Sequence, residues 1–111
     1  MADIQEIIEI NSLLSIYGEL LTELQKEVIS AYYAYNLSIG EIAIERNVSR
    51  AAVEDALKKG VAKLREFEKS LEIYKKHAEI LKITAKIKEN TNDKQLLEQI
   101  EEIERRLNYG I

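Results

Sequence analysis

The chain has 111 residues, about one domain's worth, with no cysteine, proline or tryptophan and four glycines. Without cysteine there is no disulfide framework, thiolate metal site or cysteine nucleophile, and a reducing, cytoplasmic setting is expected. So few turn-forming residues, with 32% charged and 46% hydrophobic side chains, predict an all-α fold.

No apolar run reaches the roughly 20 residues of a spanning helix, and the first residues, MADIQEIIEI, are acidic where a leader would be basic. No membrane insertion is expected. The net charge of −4 is unevenly spread: residues 1–45 carry −7, residues 46–88 carry +6 and residues 89–111 carry −3. The basic middle either contacts an anionic partner such as nucleic acid or pairs with the acidic flanks of its own molecule or of a second copy.

Residues 4–17 predict a first helix, with Ile4, Ile7, Ile8, Asn11 and Leu14 on one face and Ile10, Leu13, Ile16 and Tyr17 widening it. Gly18 ends that pattern. Thr22 and Gln25 form a capping-box pair. The helix behind them carries Leu24, Val28, Ile29, Tyr32 and Tyr33 and ends near Tyr35-Asn36, where Asn tolerates a left-handed backbone. Ser38 and Glu41 repeat the capping box and open a short helix with Ile39, Ile42 and Ala43 inward.

Asn47, Val48 and Ser49 then supply a tight turn, an apolar plug and an N-cap. The helix starting at Arg50 carries Val53, Leu57, Gly60, Leu64, Phe67, Leu71, Tyr74, Ala78, Leu81 and Ala85 at alternating spacings of four and three. This is a heptad seam, which predicts one helix running to about Lys88, with Ser70 as the place for a bend. From Leu71 onward a second stripe, Ile73, Ile80, Ile83 and Ile87, demands a second neighbour. After the polar run Glu89–Asn92, a last helix capped by Asn92 or Asp93 carries Leu96, Leu97, Ile100, Ile103 and Leu107. It ends at residues 108–110, with Ile111 as the apolar contact of a glycine-terminated helix. The short link predicts an antiparallel hairpin. The expected organisation is one unit: a head over about residues 1–70 and a hairpin tail over about residues 71–111.

Small Ala43, turn-forming Asn47, apolar Val48, capping Ser49 and apolar Val53 sit at the offsets of a helix-turn-helix. The run LLTELQKEVISAYYAYNLSIGEIAIERNVSRAAVEDALKKGVAKLREFEKSL resembles the fourth region of bacterial sigma factors. With the acidic–basic helical tail, over about residues 10–107, the chain resembles the YlxM-like family of small bacterial proteins. That resemblance implies an all-α helix-turn-helix protein of the winged-helix-like superfamily, with DNA-binding or regulatory function. It also implies a link to the signal recognition particle pathway, whose GTPase gene is a genomic neighbour of the family.

The residues themselves weigh against strong DNA binding. The outward side of the reading helix carries Arg50, Ala51, Glu54, Asp55 and Lys58, so Arg50 is the one good donor to a base edge. From Thr22 to Ser70 eight basic residues balance eight acidic ones, whereas duplex affinity rests on a basic surplus. Lys58, Arg65, Lys69 and Lys76 share a helical face, which is either a solvated stripe or a phosphate track. Glu54–Lys58, Asp55–Lys59 and Glu72–Lys76 have the spacing of helix-stabilising ion pairs.

The candidate contact residues are Arg46, Ser49, Arg50, Lys58, Lys59 and Arg65, Arg50 for bases and the others for phosphates. The candidate partners are DNA or RNA, components of the signal recognition particle and a second copy of the chain. The alternative reading is a protein adaptor for the particle's GTPase without specific DNA binding. A single histidine, His77, and the lack of any phosphate-cradle motif argue against an enzyme, so no catalytic residue, metal or cofactor is expected. The Tyr32-Tyr33-Tyr35 cluster reads as helix-end packing rather than a base-stacking platform. The uncovered second stripe predicts either packing on the first helix or a homodimer.

Overall fold

The computed structural model describes residues 3–107. Six α-helices follow one another: α1 (Ile4–Tyr17), α2 (Glu23–Ile29), α3 (Ile39–Arg46), α4 (Arg50–Leu71), α5 (Ile73–Glu89) and α6 (Lys94–Arg106), with no strand among the described residues. A 3-10 turn (Gly18–Leu20) follows α1, and a π turn (Ser30–Ala34) continues α2. The expected end of the last helix at 108–110 and the contact assigned to Ile111 lie outside the described residues.

The helix starts form where the capping chemistry places them. The Thr22 and Ser38 side chains accept the Gln25 and Glu41 amides, and the Gln25 and Glu41 side chains accept the Thr22 and Ser38 amides in return. The Ser38 amide is the main reason the Glu41 carboxyl sits below its usual range. Asp93 caps α6 through the Gln95 and Leu96 amides. At the other ends, Asn36 and Asn47 both take positive φ, 54° and 55°, as their amide side chains allow.

The core has two lobes. Ile10, Leu13 and Tyr17 of α1 meet Ile29, Val61 and Leu64 in one. Val28, Ala31, Ile42, Ala43, Val53 and Ala56 form the other, under the helix-turn-helix. Within α1 the inward face is therefore Ile10, Leu13 and Tyr17, while Ile4 and Ile8 are exposed. That corrects the stripe assigned from Ile4 and Ile8. Gly60 lets α4 cross α2 closely: a Cβ there would lie 2.6 Å from Ile29 Cδ1. The π turn has its own tie, because the Asn11 amide donates to the Tyr33 carbonyl at 3.1 Å and the Tyr33 hydroxyl donates to Glu6.

The long helix does not run unbroken to Lys88. It ends at Leu71, Glu72 takes φ 53° and ψ 33°, and α5 starts anew. The break is held by chemistry that spacing cannot show. The Tyr17 hydroxyl donates to Glu68 Oε1 at 2.8 Å and accepts the Ile73 amide at 3.4 Å. The same carboxylate accepts the Tyr74 and Lys75 amides at 3.0 and 3.1 Å. Glu68 thus serves the first turn of α5 as an N-cap side chain would. The turn brings Ile73 and Tyr74 onto the α1 lobe.

As a result the heptad seam divides. Val53, Gly60 and Leu64 are buried in the head, but Leu71 is exposed. Beyond the break α5 and α6 form the expected antiparallel pair. Thr84 Oγ1 and Lys88 Nζ both donate to the Glu104 carboxylate, at 2.7 and 2.9 Å. Lys88 is the first cause of Glu104's lowered pKa.

Candidate nucleic-acid interface

The helix-turn-helix is built as the residue offsets predict. The Asn47 amide donates to the Ala43 and Ile44 carbonyls, closing α3, and the Val48 amide donates to the Ala43 carbonyl at 3.0 Å. Val48 packs on the lobe containing fully buried Val53. Ser49 Oγ accepts the Ala52 amide at 3.0 Å and caps α4.

Ser49 satisfies only one of the amides at this helix start, and α4 carries no acid in its first turn. α1, α2 and α3 each do, in Glu6, Glu23 and Glu41. The positive end of the α4 dipole therefore lacks a first-turn acid of its own. Arg50 adds a guanidinium there. It lies against the backbone of α3, where a Cβ at Gly40 would be 3.0 Å from Arg50 Nη2. The start of α4 and a cation meet the side of α3 at one open groove lined by Gly40, Ala43, Ile44, Asn47, Val48, Ser49 and Arg50. Backbone amides and a planar cation at a helix start are the chemistry that binds a phosphate.

The six candidate contact residues fare differently. Ser49 and Arg50 lie together at the groove. Arg46 is tied to Glu27 at 2.7 Å, and Arg65 to Glu9 at 3.5 Å. Lys59 pairs with Asp55 at 3.3 Å. Lys58 is exposed and stands outside the ion pairs found among the described residues.

The acidic flank thus neutralises part of the basic middle within the same molecule. Of the three i,i+4 pairs read from spacing, Asp55–Lys59 forms. Glu72 instead meets Lys75 at 3.2 Å, because Glu72 has left the helix. Glu54–Lys58 is not among the ion pairs of the described residues. The same break separates Lys76 from the Lys58–Arg65–Lys69 stripe.

Sequence reasoning missed Ile44, which is 84% exposed on the groove. At about 100° per residue it points roughly opposite buried Ile42, so the helical wheel carried the signal. The tyrosines pack as expected at Tyr32 and Tyr33, whose rings meet edge-on at 5.0 Å; Tyr35 is instead 73% exposed. Burial and the Glu6 hydrogen bond push the Tyr33 hydroxyl up to about 12. Among the described residues no group of three His, Cys, Asp or Glu side chains could hold a metal ion, and no helix is long and apolar enough to cross a membrane.

Residues 4–103 match the family described as "Putative helix-turn-helix protein, YlxM / p13 like". A UPF0122 protein of Fusobacterium nucleatum is 39% identical over 100 residues, covering 90% of this chain and 97% of the relative. UPF0122 proteins of Bacillus cereus and Bacillus anthracis are 37% identical over 109 residues, covering 91% of this chain and 99% of each relative. The helix-turn-helix geometry, the family match and the near-full-length relatives agree: the chain belongs to the UPF0122 family of YlxM-like helix-turn-helix proteins.

Proposed function

We propose that this chain is a non-enzymatic regulatory module that contacts nucleic acid at the start of α4 and works in the signal recognition particle pathway as a homodimer. One observation carries the contact: the first turn of α4 has no acid and holds Arg50 at an open groove between that helix start and α3. Ser49 and Arg50 grip a phosphate, with Arg50 also able to reach a base edge. Lys58 adds a second phosphate contact further along α4.

Arg46, Lys59 and Arg65 enter only by exchanging their carboxylate partners for phosphate, which reduces what each contributes. Affinity is therefore weak and strongly salt-dependent. Fluorescence anisotropy with duplex DNA and with structured RNA, across a salt series, tests this. Binding that weakens with salt and is lost in Arg50→Ala is expected. No binding to either at low salt would refute it.

Exposed Ile44 on the same groove favours a second reading, a protein adaptor. An apolar side chain beside a cation suits a protein surface better than a phosphate backbone. In that reading the groove docks on the pathway's GTPase. Ile44→Glu abolishes capture of that GTPase in the presence of nuclease, and an unaffected capture would sink the reading.

A further inference from the structure

The hairpin tail leaves one face uncovered. Ile80 and Ile83 of α5 are 39% and 59% exposed, and Leu96 and Ile103 of α6 are 37% and 43% exposed. These are not scattered positions. The flank of α5 facing α6 is marked by Thr84 and Lys88, and the flank of α6 facing α5 by Ile100 and Glu104. At about 100° per residue, Ile80, Ile83 and Ile87 lie to one side of the α5 flank. Leu96 and Ile103 lie to the corresponding side of the α6 flank. In an antiparallel pair those two sides coincide, so these five isoleucine and leucine side chains share a single broad face. Behind it the two helices bury only Thr84 and Ile100. A two-helix layer has no closed core of its own, and the stable solution is a second layer.

We propose that the α5–α6 hairpin docks on the same hairpin of a second copy of this chain, α5 over α6, in a four-helix bundle that carries both helix-turn-helix heads at one end. This deepens the homodimer named above and does not depend on nucleic acid. Charge selects the arrangement. α5 carries five lysines against two acids, and α6 carries three basic residues against four acids. A twofold axis parallel to the helices sets each α5 against the other copy's α6, which joins the apolar faces and opposes unlike charges. An axis across the helices sets α5 on α5 and crowds lysine against lysine. The parallel axis also makes every neighbouring pair antiparallel, the usual bundle geometry, and it makes the interface isologous, so it closes at two copies.

Light scattering on the full chain at micromolar concentration tests the association. The expected mass is twice the 12.8-kDa chain mass, falling to that of one chain in the double variant Ile83→Glu, Ile103→Glu. Both positions are exposed in a single copy, so far-UV circular dichroism should be unchanged. Orientation is read by disulfides, because the chain has no cysteine of its own. A mixture of Ile83→Cys and Ile103→Cys copies should cross-link to each other on oxidation, while Ile83→Cys alone stays unlinked.

A single-chain mass for the parent protein, or a dimer that survives the double substitution, would overturn the proposal. Efficient self-cross-linking of Ile83→Cys would overturn the α5-over-α6 arrangement. Mass and cross-links are read without nucleic acid, so their failure is separable from failure of the anisotropy assay.

Discussion

Removing the Glu68 carboxylate should destabilise the joint between α4 and α5 out of proportion to its position near the surface. In the native structure this one group accepts the Tyr17 hydroxyl and the Tyr74 and Lys75 amides. Hydrogen bonds to a charged group contribute about 1.5–3 kcal/mol, and losing a helix cap costs about 1 kcal/mol. The two amides lie at a helix start and regain water, so their loss is the smaller part. The Tyr17 residue is 1% exposed, and its hydroxyl loses its acceptor. Together these give about 2–3 kcal/mol for Glu68→Ala. Glu68→Gln, which keeps one acceptor oxygen, should lose about half of that. Tyr17→Phe alone should cost about 1 kcal/mol, and combining it with Glu68→Ala should recover about 1 kcal/mol of coupling. Equilibrium urea unfolding followed by circular dichroism measures the parent and all four variants. A loss below about 0.5 kcal/mol for Glu68→Ala, or strict additivity in the cycle, would refute the reasoning.

Asn47→Ala should lower stability by about 1 kcal/mol and Asn47→Gly should leave it within a few tenths, because φ is 55° there; thermal unfolding distinguishes them, and equal losses would contradict a backbone cause. Gly60→Ala gains about 1 kcal/mol of helix propensity. Against that, its Cβ meets Ile29 Cδ1 at 2.6 Å and Gln25 Cβ at 3.2 Å. Overpacking a buried crossing costs about 1–3 kcal/mol, so a net loss is expected in urea unfolding; a gain would show that Ile29 swings aside freely. The fold raises the Tyr33 hydroxyl from 10.0 to about 12, which favours the protonated ring in the native state. Stability from this source is complete below pH 10 and is lost as pH rises through 12. The alkaline fall in the thermal midpoint should be shallower in Tyr33→Phe, and an unchanged slope would rule the group out.

Local chemistry was the legible part of this fold. Thr22, Ser38 and Ser49 cap helices where their spacing placed them, Asp93 is the cap of the two residues the sequence offered, and Asn36 and Asn47 turn the chain. Ser70 was read as the place for a bend, two residues from the observed break, but a complete stop at Glu72 was not legible, because the heptad pattern continues through it and Glu is a good helix former. What ends α4 is a tyrosine 51 residues away that meets Glu68, a contact created by packing. The π turn was hidden for a similar reason: Asn11, read as part of an apolar stripe, is the side chain that satisfies the Tyr33 carbonyl. At the groove, Ser49 and Arg50 of the six candidate residues lie together, as consecutive residues at a helix start must. The sequence could not show that Arg46 and Arg65 are held by Glu27 and Glu9, since these partners lie on other helices.

The left-handed residue at 72 also makes the molecule a lever. α4 has 22 residues and α5 has 17, so at about 1.5 Å per residue the two arms are about 33 and 26 Å long. A 10° change at this one pivot would displace the far end of α5 by about 4 Å relative to the start of α4. The orientation of the reading end relative to the tail is therefore set at this one joint, by the Glu72 backbone, the Glu68 carboxylate and the packing of Ile73 and Tyr74 on the α1 lobe, about 30 Å from the groove. Substitutions at Glu68 and Glu72 can re-aim the molecule without touching any residue that contacts a partner.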